Sequence, residues 1–334
     1  MRFIVLGAGA VGGVVGGRLF EHGHDVVLVA RGEHGKVLAE DGLTLASATG
    51  VLTLPVPATD SLESIRWRGD EVVLMAVKSQ DTEEALRQLG GVAPPSVTVV
   101  CAQNGVANEP AALRRFPNIY GICVMCPAAQ IEPGVVVAES SPLTALLDIG
   151  RYPGGVDATA EAIAAAISES TMESVARPDI MRWKYAKLLS NLSNAVDALC
   201  GPGGRSSEVS ARARQEGEAC LVAAGIDYAS REEDRARRGD RLHPTEVVGR
   251  ERGGSSTWQS LLSRGTVEVD YLNGEIVLLG RLHAVPVPTN VLLQHLVNEK
   301  AWEHSGPGGM NPEELLALLD RPVPSVRDFT GPVG

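Results

Sequence analysis

Over its first half the chain alternates short apolar runs with stretches of helical period. Phe3–Leu6 is apolar, glycines follow, and a helical pattern ends near Gly23. The apolar run returns at Asp25–Ala30 (DVVLVA), Glu71–Val77 (EVVLMAV) and Val97–Ala102 (VTVVCA), with a helical pattern from about Asp81 between the last two. Continuous apolar runs separated by helices read as strands buried on both faces, which predicts parallel βαβ units and a sheet covered on both sides. Residues 43–56 (LTLASATGVLTLPV) instead alternate with period two around Thr49-Gly50, so a hairpin or meander is expected inside that pattern. Gly134–Gly150 is strand-like again.

The texture changes near Arg177-Pro178. Beyond it strand signals almost vanish, and helical patterns recur at Asp179–Leu199, Glu208–Ala224, Thr257–Ser263, Val267–His283 and Thr289–His304. Pro178 suits a helix start. The expected fold class is therefore α/β: a doubly wound sheet domain over residues 1–175, followed by an all-helical domain over 176–320, with the boundary at about 170–178 and a loose tail over 321–334. Gly201–Ser206 and Ser305–Met310 read as loops, and the charge-rich segment Asp227–Arg252 (with REEDRARRGDR) as a solvated helix or loop.

Length and composition fit this division. A chain of 334 residues is long enough for two cores, and 44% hydrophobic with 21% charged residues is ordinary for a globular protein. The net charge of −11 argues against a nucleic-acid partner but leaves room for a local basic pocket. There is no signal-peptide pattern and no apolar run of about 18 residues, so a cytoplasmic protein that does not span a membrane is expected. The five cysteines are too sparse for a disulfide framework. Cys123 and Cys126 form a C-x-x-C without a second pair of ligands, so they read as small buried hydrophobes and no metal site is expected.

The candidate chemistry begins with Gly7, Gly9 and Gly12, a G-x-G-x-x-G between a predicted strand and a predicted helix. In that context, that of a Rossmann-type fold, Gly7 permits the tight turn, Gly9 lets the backbone approach a pyrophosphate, and Gly12 lets helix and strand pack closely. The helix N-terminus, opening at Ala10 and Val11, offers free N–H groups and partial positive charge to phosphates. At the end of the second strand, where an NAD site often has Asp or Glu, stands Arg31. A guanidinium pairs with a 2′-phosphate, so the expected cofactor is NADP(H), with Lys36 or Arg18 as possible helpers. Lys78 and Asn104 end two further strands and would point into the crevice beyond the sheet, although a solvated lysine and an Asn-Gly turn are the plainer readings. Lys187, Asn191 and Asn194 share a helical face by their spacing, and Glu268 opens another helical pattern with Ser256 and Thr257 upstream. Lys plus Glu would suit a carbonyl reduction; a solvated stripe and a Glu favoured by the helix dipole remain the alternative.

Taken together, VLGAGAVGG, Arg31, AVKSQD, QNGV, KLLSN and EVDYLNG make the chain resemble the ketopantoate reductase (2-dehydropantoate 2-reductase) family from Met1 to about Lys300. The resemblance implies that Gly7, Gly9, Ala10, Val11, Gly12 and Arg31 bind NADPH, and that Lys78 and Asn104 face cofactor ribose and substrate. It implies Lys187 as the general acid and Asn191, Asn194 and Ser256 as holders of substrate carboxylate and hydroxyl. Glu268 would bind the substrate's hydroxyl end and position Lys187, opposing the drop in its pKa that burial causes. Lys184 rivals Lys187, but only Lys187 stands four residues before Asn191. The chain departs from the family where Asn194 follows Asn191 by three positions with Ala195 next, and where Val267 replaces a threonine. The segment ICVMCPAAQIEPG, expected to line the substrate pocket, has few polar groups. The implied reaction is NADPH-dependent reduction of ketopantoate to pantoate in pantothenate (coenzyme A) biosynthesis. The apolar helices of the second domain could bury against a twin, so a homodimer is the expected assembly. A reductase of another branched 2-oxo acid or carbonyl compound, or a non-catalytic NADP(H)-binding sensor, are the competing readings.

Overall fold

The computed structural model describes residues 1–247, 253–263 and 265–320. The expected tail at 321–334 and residues 248–252 of the charge-rich segment lie outside them. The strands are β1 (Arg2–Leu6), β2 (Asp25–Val29), β3 (Leu43–Ser47), β4 (Gly50–Leu54), β5 (Ala58–Thr59), β6 (Glu71–Met75) and β7 (Thr98–Cys101). They continue as β8 (Asn118–Met125), β9 (Ala128–Glu132), β10 (Val135–Ala138), β11 (Ser140–Pro142), β12 (Leu146–Arg151) and β13 (Leu242–Pro244). The helices of the sheet half are α1 (Ala10–Glu21), α2 (Gly32–Asp41), α3 (Thr82–Val92), α4 (Asn108–Leu113) and α5 (Ala158–Ser168). Those of the helical half are α6 (Ile180–Asn191), α7 (Ser193–Cys200), α8 (Glu208–Ala223), α9 (Arg231–Arg238), α10 (Ser256–Leu262), α11 (Asn273–His283), α12 (Pro288–Trp302) and α13 (Pro312–Leu319).

The main sheet runs β12-β8-β7-β6-β1-β2-β5 and is parallel except for β12. Its order reverses at β1, between β2 and β6, which is the switch point where open sheets of this kind bind ligands. The apolar runs are continuous because each strand feeds two cores. On β1, Phe3 and Val5 face one cluster with α1, while Ile4 and Leu6 face another with α3. The expected hairpin is β3–β4, closed at Ser47 opposite Gly50; it belongs to a second, four-stranded sheet β4-β3-β10-β9.

That second sheet explains a glycine pattern that the phosphate motif leaves over. Helix α1 is pressed between the two sheets. A Cβ at Gly12 or Gly16 would stand 2.1 Å from the Gly7 carbonyl oxygen or 2.7 Å from Leu28, on the side of the main sheet. At Gly13 or Gly17 it would stand 2.8 Å from Val136 or Leu43, on the side of the second sheet. Glycine costs a helix interior about 1 kcal/mol relative to alanine. Here the alternative is a clash, so two-sided packing outweighs propensity.

In the helical half, the pattern at 179–199 resolves into α6 and α7, joined through Leu192 in helical conformation. One short strand, β13, returns from this half to pair with β11. The charge-rich segment holds a largely solvated helix, as expected, with Arg237 the exception. Helix α9 begins with a capping box from Ser230 and Glu233, and Arg182 makes a two-pronged contact with Glu233. Arg237 is buried, bonding the Asp148 carboxylate of β12 at 2.6–3.1 Å and Glu173 at 2.7 Å. Long side chains at that spacing signalled exposure; the buried Asp148 that receives them stands about ninety residues earlier.

Candidate active site

A cleft of about 1000 Å³ opens between the carboxyl ends of the main sheet and the helices α6, α7, α9 and α10. Gly9, Ala10, Val11, Lys78, Asn104, Lys187, Asn191, Asn194, Ser256 and Glu268 all line it, so residues far apart in sequence converge. Gly7 and Gly12 lie just beneath, making the turn: Gly7 has φ +99°, a conformation strained for side-chain-bearing residues, and its Cβ would meet the backbone at Val77. The Gly7 and Ala8 amides donate to the carbonyl of Val29. No side chain caps α1 at Gly9, so its first-turn amides open on the cleft. This is the arrangement a pyrophosphate needs, and the glycine loop fits a dinucleotide on that ground.

His34, which the sequence reading did not single out, braces the loop. Its Nδ1 accepts from the Gly134 amide at 2.9 Å, so the proton sits on Nε2, which donates to the Ala8 carbonyl at 2.8 Å. Arg31 is the residue preceding α2 and is exposed. Its two suggested helpers are otherwise engaged. Arg18 is buried against Thr144 and Glu21, and Lys36 pairs with Glu33 at 3.4 Å. Arg31 is thus left as the free basic group beyond β2 among those three.

Lys78, Ser79 and Gln80 tie the sheet half to the helical half. The Lys78 ammonium donates to Ser260 Oγ at 3.0 Å and to the Thr266 carbonyl at 2.5 Å, and Gln80 donates to Thr266 Oγ1 at 2.7 Å. Glu268 precedes a short 3₁₀ turn at Val269–Tyr271 and caps nothing with its side chain. Its carboxylate accepts from the Ser79 amide and hydroxyl, each at 3.0 Å. Burial lowers the Lys78 pKa, and Glu268 opposes that drop. The hydrogen bonds of Glu268 thus go to Ser79 and its charge acts on Lys78; among the described residues none of them reaches Lys187. Asn104 joins both of its readings. Gly105 (φ +77°) makes the turn, while Asn104 Oδ1 accepts from Asn191 Nδ2 at 3.1 Å across the cleft.

The two lysines of α6 separate cleanly. Lys184 is buried with Glu109, Nζ to Oε1 at 2.7 Å, and donates to the carbonyls of Gln103 and Ile122. Gly121 lies against this pair, where a Cβ would meet Glu109 at 3.0 Å. Lys184 thus loses its standing as a rival acid, because its protons are spoken for inside the protein. Lys187, one turn on, faces the cleft with no hydrogen-bond partner among the described residues. Burial first, and the charge of Arg238 second, push its pKa down to about 8. Asn194 is held between Ser256 Oγ (3.5 Å) and Arg205 (3.4 Å). Ser255 donates from its amide to Asp197 at 2.6 Å and caps α10. Arg205, Arg238 and Ser260 are cleft residues that the sequence reading missed.

The end of β8 and the segment after it do line the cleft, through Met125, Cys126, Pro127, Gln130 and Glu132. Cys123 joins the cluster packed around Trp183, whereas Cys126 packs against the main core. Burial pushes the Cys123 thiol up to about 11 and the Cys126 thiol up to about 12, as expected for apolar fillers. Among the described residues no group of His, Cys, Asp and Glu has a metal-binding arrangement, and no helix is long and apolar enough to cross a membrane.

Sequence and structure comparisons agree with this layout. The profile described as "Ketopantoate reductase PanE/ApbA" matches residues 3–153, and that of its C-terminal domain matches 179–301. The 2-dehydropantoate 2-reductase of Halobacterium salinarum is 31% identical over 312 residues, covering 89% of this chain and 98% of that protein. That of Pyrococcus horikoshii is 27% identical over 327 residues, covering 92% and 99%. A PanE/ApbA family ketopantoate reductase from Ralstonia eutropha superposes with TM-score 0.76 at 26% identity, covering 91% of this chain and 99% of that one. D-mandelate dehydrogenase solved with NADH and anilino(oxo)acetate shares the fold, with TM-score 0.78 at 22% identity and the same coverage. With a dinucleotide-type glycine loop, a two-walled cleft and both halves of the profile matched in order, the chain belongs to the ketopantoate reductase PanE/ApbA family of nicotinamide-dependent oxidoreductases.

Proposed function

We propose that the protein reduces 2-dehydropantoate (ketopantoate) to pantoate with NADPH, as a step of pantothenate biosynthesis. The observation that carries this reading is the position of Lys187. It is the one lysine of α6 that faces the cleft, opposite the glycine loop and beside Asn191 and Asn194. The cofactor, when bound, supplies the hydride. Gly7, Gly9, Ala10, Val11 and Gly12 would hold its pyrophosphate, and Arg31 its 2′-phosphate. Lys78 and Asn104 would flank its ribose.

The protein's own chemistry concerns the ketone oxygen. As the keto carbon is reduced, negative charge gathers on that oxygen, and the Lys187 ammonium both stabilises the charge and gives up a proton. A pKa near 8 keeps the lysine charged at neutral pH while easing that transfer. Asn191, Asn194 and Ser256 would orient the carboxylate and hydroxyl groups. Glu268, held on the wall with Ser79, would receive the hydroxyl end of the substrate. The polar pairs across the cleft mouth, Lys78 to Ser260 and Asn104 to Asn191, support a site that excludes water when the halves meet. A homodimer is the proposed assembly, since α11 leaves Leu278 and Leu282 exposed on neighbouring turns.

Two variants test the cofactor and substrate assignments. Arg31→Asp is expected to weaken NADPH binding at least tenfold, roughly the worth of a charge-assisted hydrogen bond, while NADH binding changes little. A surviving preference for NADPH in fluorescence titration would remove Arg31 from the 2′-phosphate. Glu268→Gln is expected to raise KM for ketopantoate about tenfold and to lower kcat, because a neutral amide is the weaker acceptor. Unchanged steady-state constants would confine Glu268 to bridging the two halves.

A further inference from the structure

We propose that Arg238, seconded by Arg205, forms a cationic subsite beside Lys187 that joins Asn194 and Ser256 in recognising the C1 carboxylate of the 2-oxo acid, making Arg238 a specificity-determining residue. This deepens the functional reading above and rests on it for the identity of the substrate.

The placement of Arg238 follows from its neighbour. Arg237 is locked into the Asp148 carboxylate and Glu173, which pins the last turn of α9 to β12. Asp148 is itself held by Arg177, whose guanidinium stacks 3.8 Å from the Trp183 ring. One residue further along, Arg238 lies on the cleft wall with Leu242 and Pro244, its side chain 35% exposed. Its Nε donates to Asp234 at 2.8 Å. Its two terminal nitrogens have no hydrogen-bond partner among the described residues, so the fork that matches a carboxylate remains available.

Arg205 lines the same wall and reaches Asn194 Oδ1, so it touches a residue already proposed for substrate binding. Both arginines act electrostatically on Lys187. Lys187, Arg205 and Arg238 thus share the lining of one cleft; Asp234 is the carboxylate bonded to Arg238, and Glu139 and Asp197 also line the cleft. The unpartnered guanidinium nitrogens of Arg238 beside the Lys187 ammonium favour an anion. In a 2-oxo acid the carboxylate is bonded to the keto carbon. A substrate whose ketone oxygen meets Lys187 therefore carries its carboxylate into this cationic wall. Cys126, Met125 and Leu242 offer no competing polar contact for it.

The test compares Arg238→Gln with Arg235→Gln, an exposed arginine of the same helix that does not line the cleft. The measurements are kcat/KM for ketopantoate and for its neutral methyl ester, and the affinity of the NADPH-loaded protein for oxamate. Arg238→Gln is expected to lose about tenfold or more in kcat/KM for the acid, mainly through KM, with little change for the ester. Oxamate binding should weaken in parallel, Arg238→Lys should restore part of it, and Arg235→Gln should match the wild type. An unchanged acid-over-ester preference together with unchanged oxamate affinity in Arg238→Gln would overturn the subsite. If the wild type turns over no 2-oxo acid, the functional reading fails. The oxamate comparison still decides the subsite on its own.

Discussion

Lys187→Ala is expected to lower kcat for ketopantoate by about 10²–10⁴-fold, the range that a positioned general acid contributes. NADPH affinity should stay within a few-fold, because the lysine sits on the helical wall and the glycine loop on the sheet wall. The variant should also fold normally, since the side chain gives up no hydrogen bond among the described residues. The pH profile of the wild type supplies a second signature. The acid must be protonated to act, and burial with the nearby Arg238 charge brings its pKa down to about 8. The kcat should therefore be level below that pH and fall as pH rises through it. Retained turnover in Lys187→Ala would remove the residue from the chemistry.

Lys184→Met is expected to do the reverse: a loss of about 3–5 kcal/mol in stability, with turnover per folded molecule near that of the wild type. The ammonium and Glu109 are 2% and 0% exposed, so removing one leaves the other as an uncompensated charge in the core. Burial already pushes the Glu109 pKa up, with Lys184 opposing it; without the lysine, the carboxyl must take up a proton or open the structure. Chemical denaturation of Lys184→Met, Glu109→Leu and the double variant forms a cycle. The double variant should recover much of the loss, because an apolar pair of similar volume avoids both desolvation costs. A single variant as stable as the wild type would show that the pair carries no structural weight.

This contrast also marks where sequence stops informing. Spacing placed Lys187, Asn191 and Asn194 on one face, and the cleft receives all three. Spacing favoured Lys187 over Lys184 but could not show what Lys184 does instead, since its partner Glu109 lies on another element seventy-five residues earlier. The strands and the phosphate turn were legible because burial on two faces and the need for φ > 0 act locally. Gly13 and Gly17 were opaque for the opposite reason: what they make room for is a second sheet built from residues 43–54 and 128–138. The segment REEDRARRGDR looked solvated because its charges are dense. In the fold those charges are divided, with Arg237 serving the core and Arg238 the cleft. Likewise Glu268 lines the cleft, but its partners, Ser79 and Lys78, could be found only in three dimensions.

The proposed cleft chemistry is reduction of a 2-oxo acid at the expense of NADPH. The most direct measurement is the absorbance of NADPH mixed with the purified protein and ketopantoate. The expected result is oxidation of one NADPH per pantoate formed, saturating in both reactants and far slower with NADH. Tight NADPH binding with no oxidation in the presence of ketopantoate or any other 2-oxo acid would contradict it and would favour a cofactor sensor.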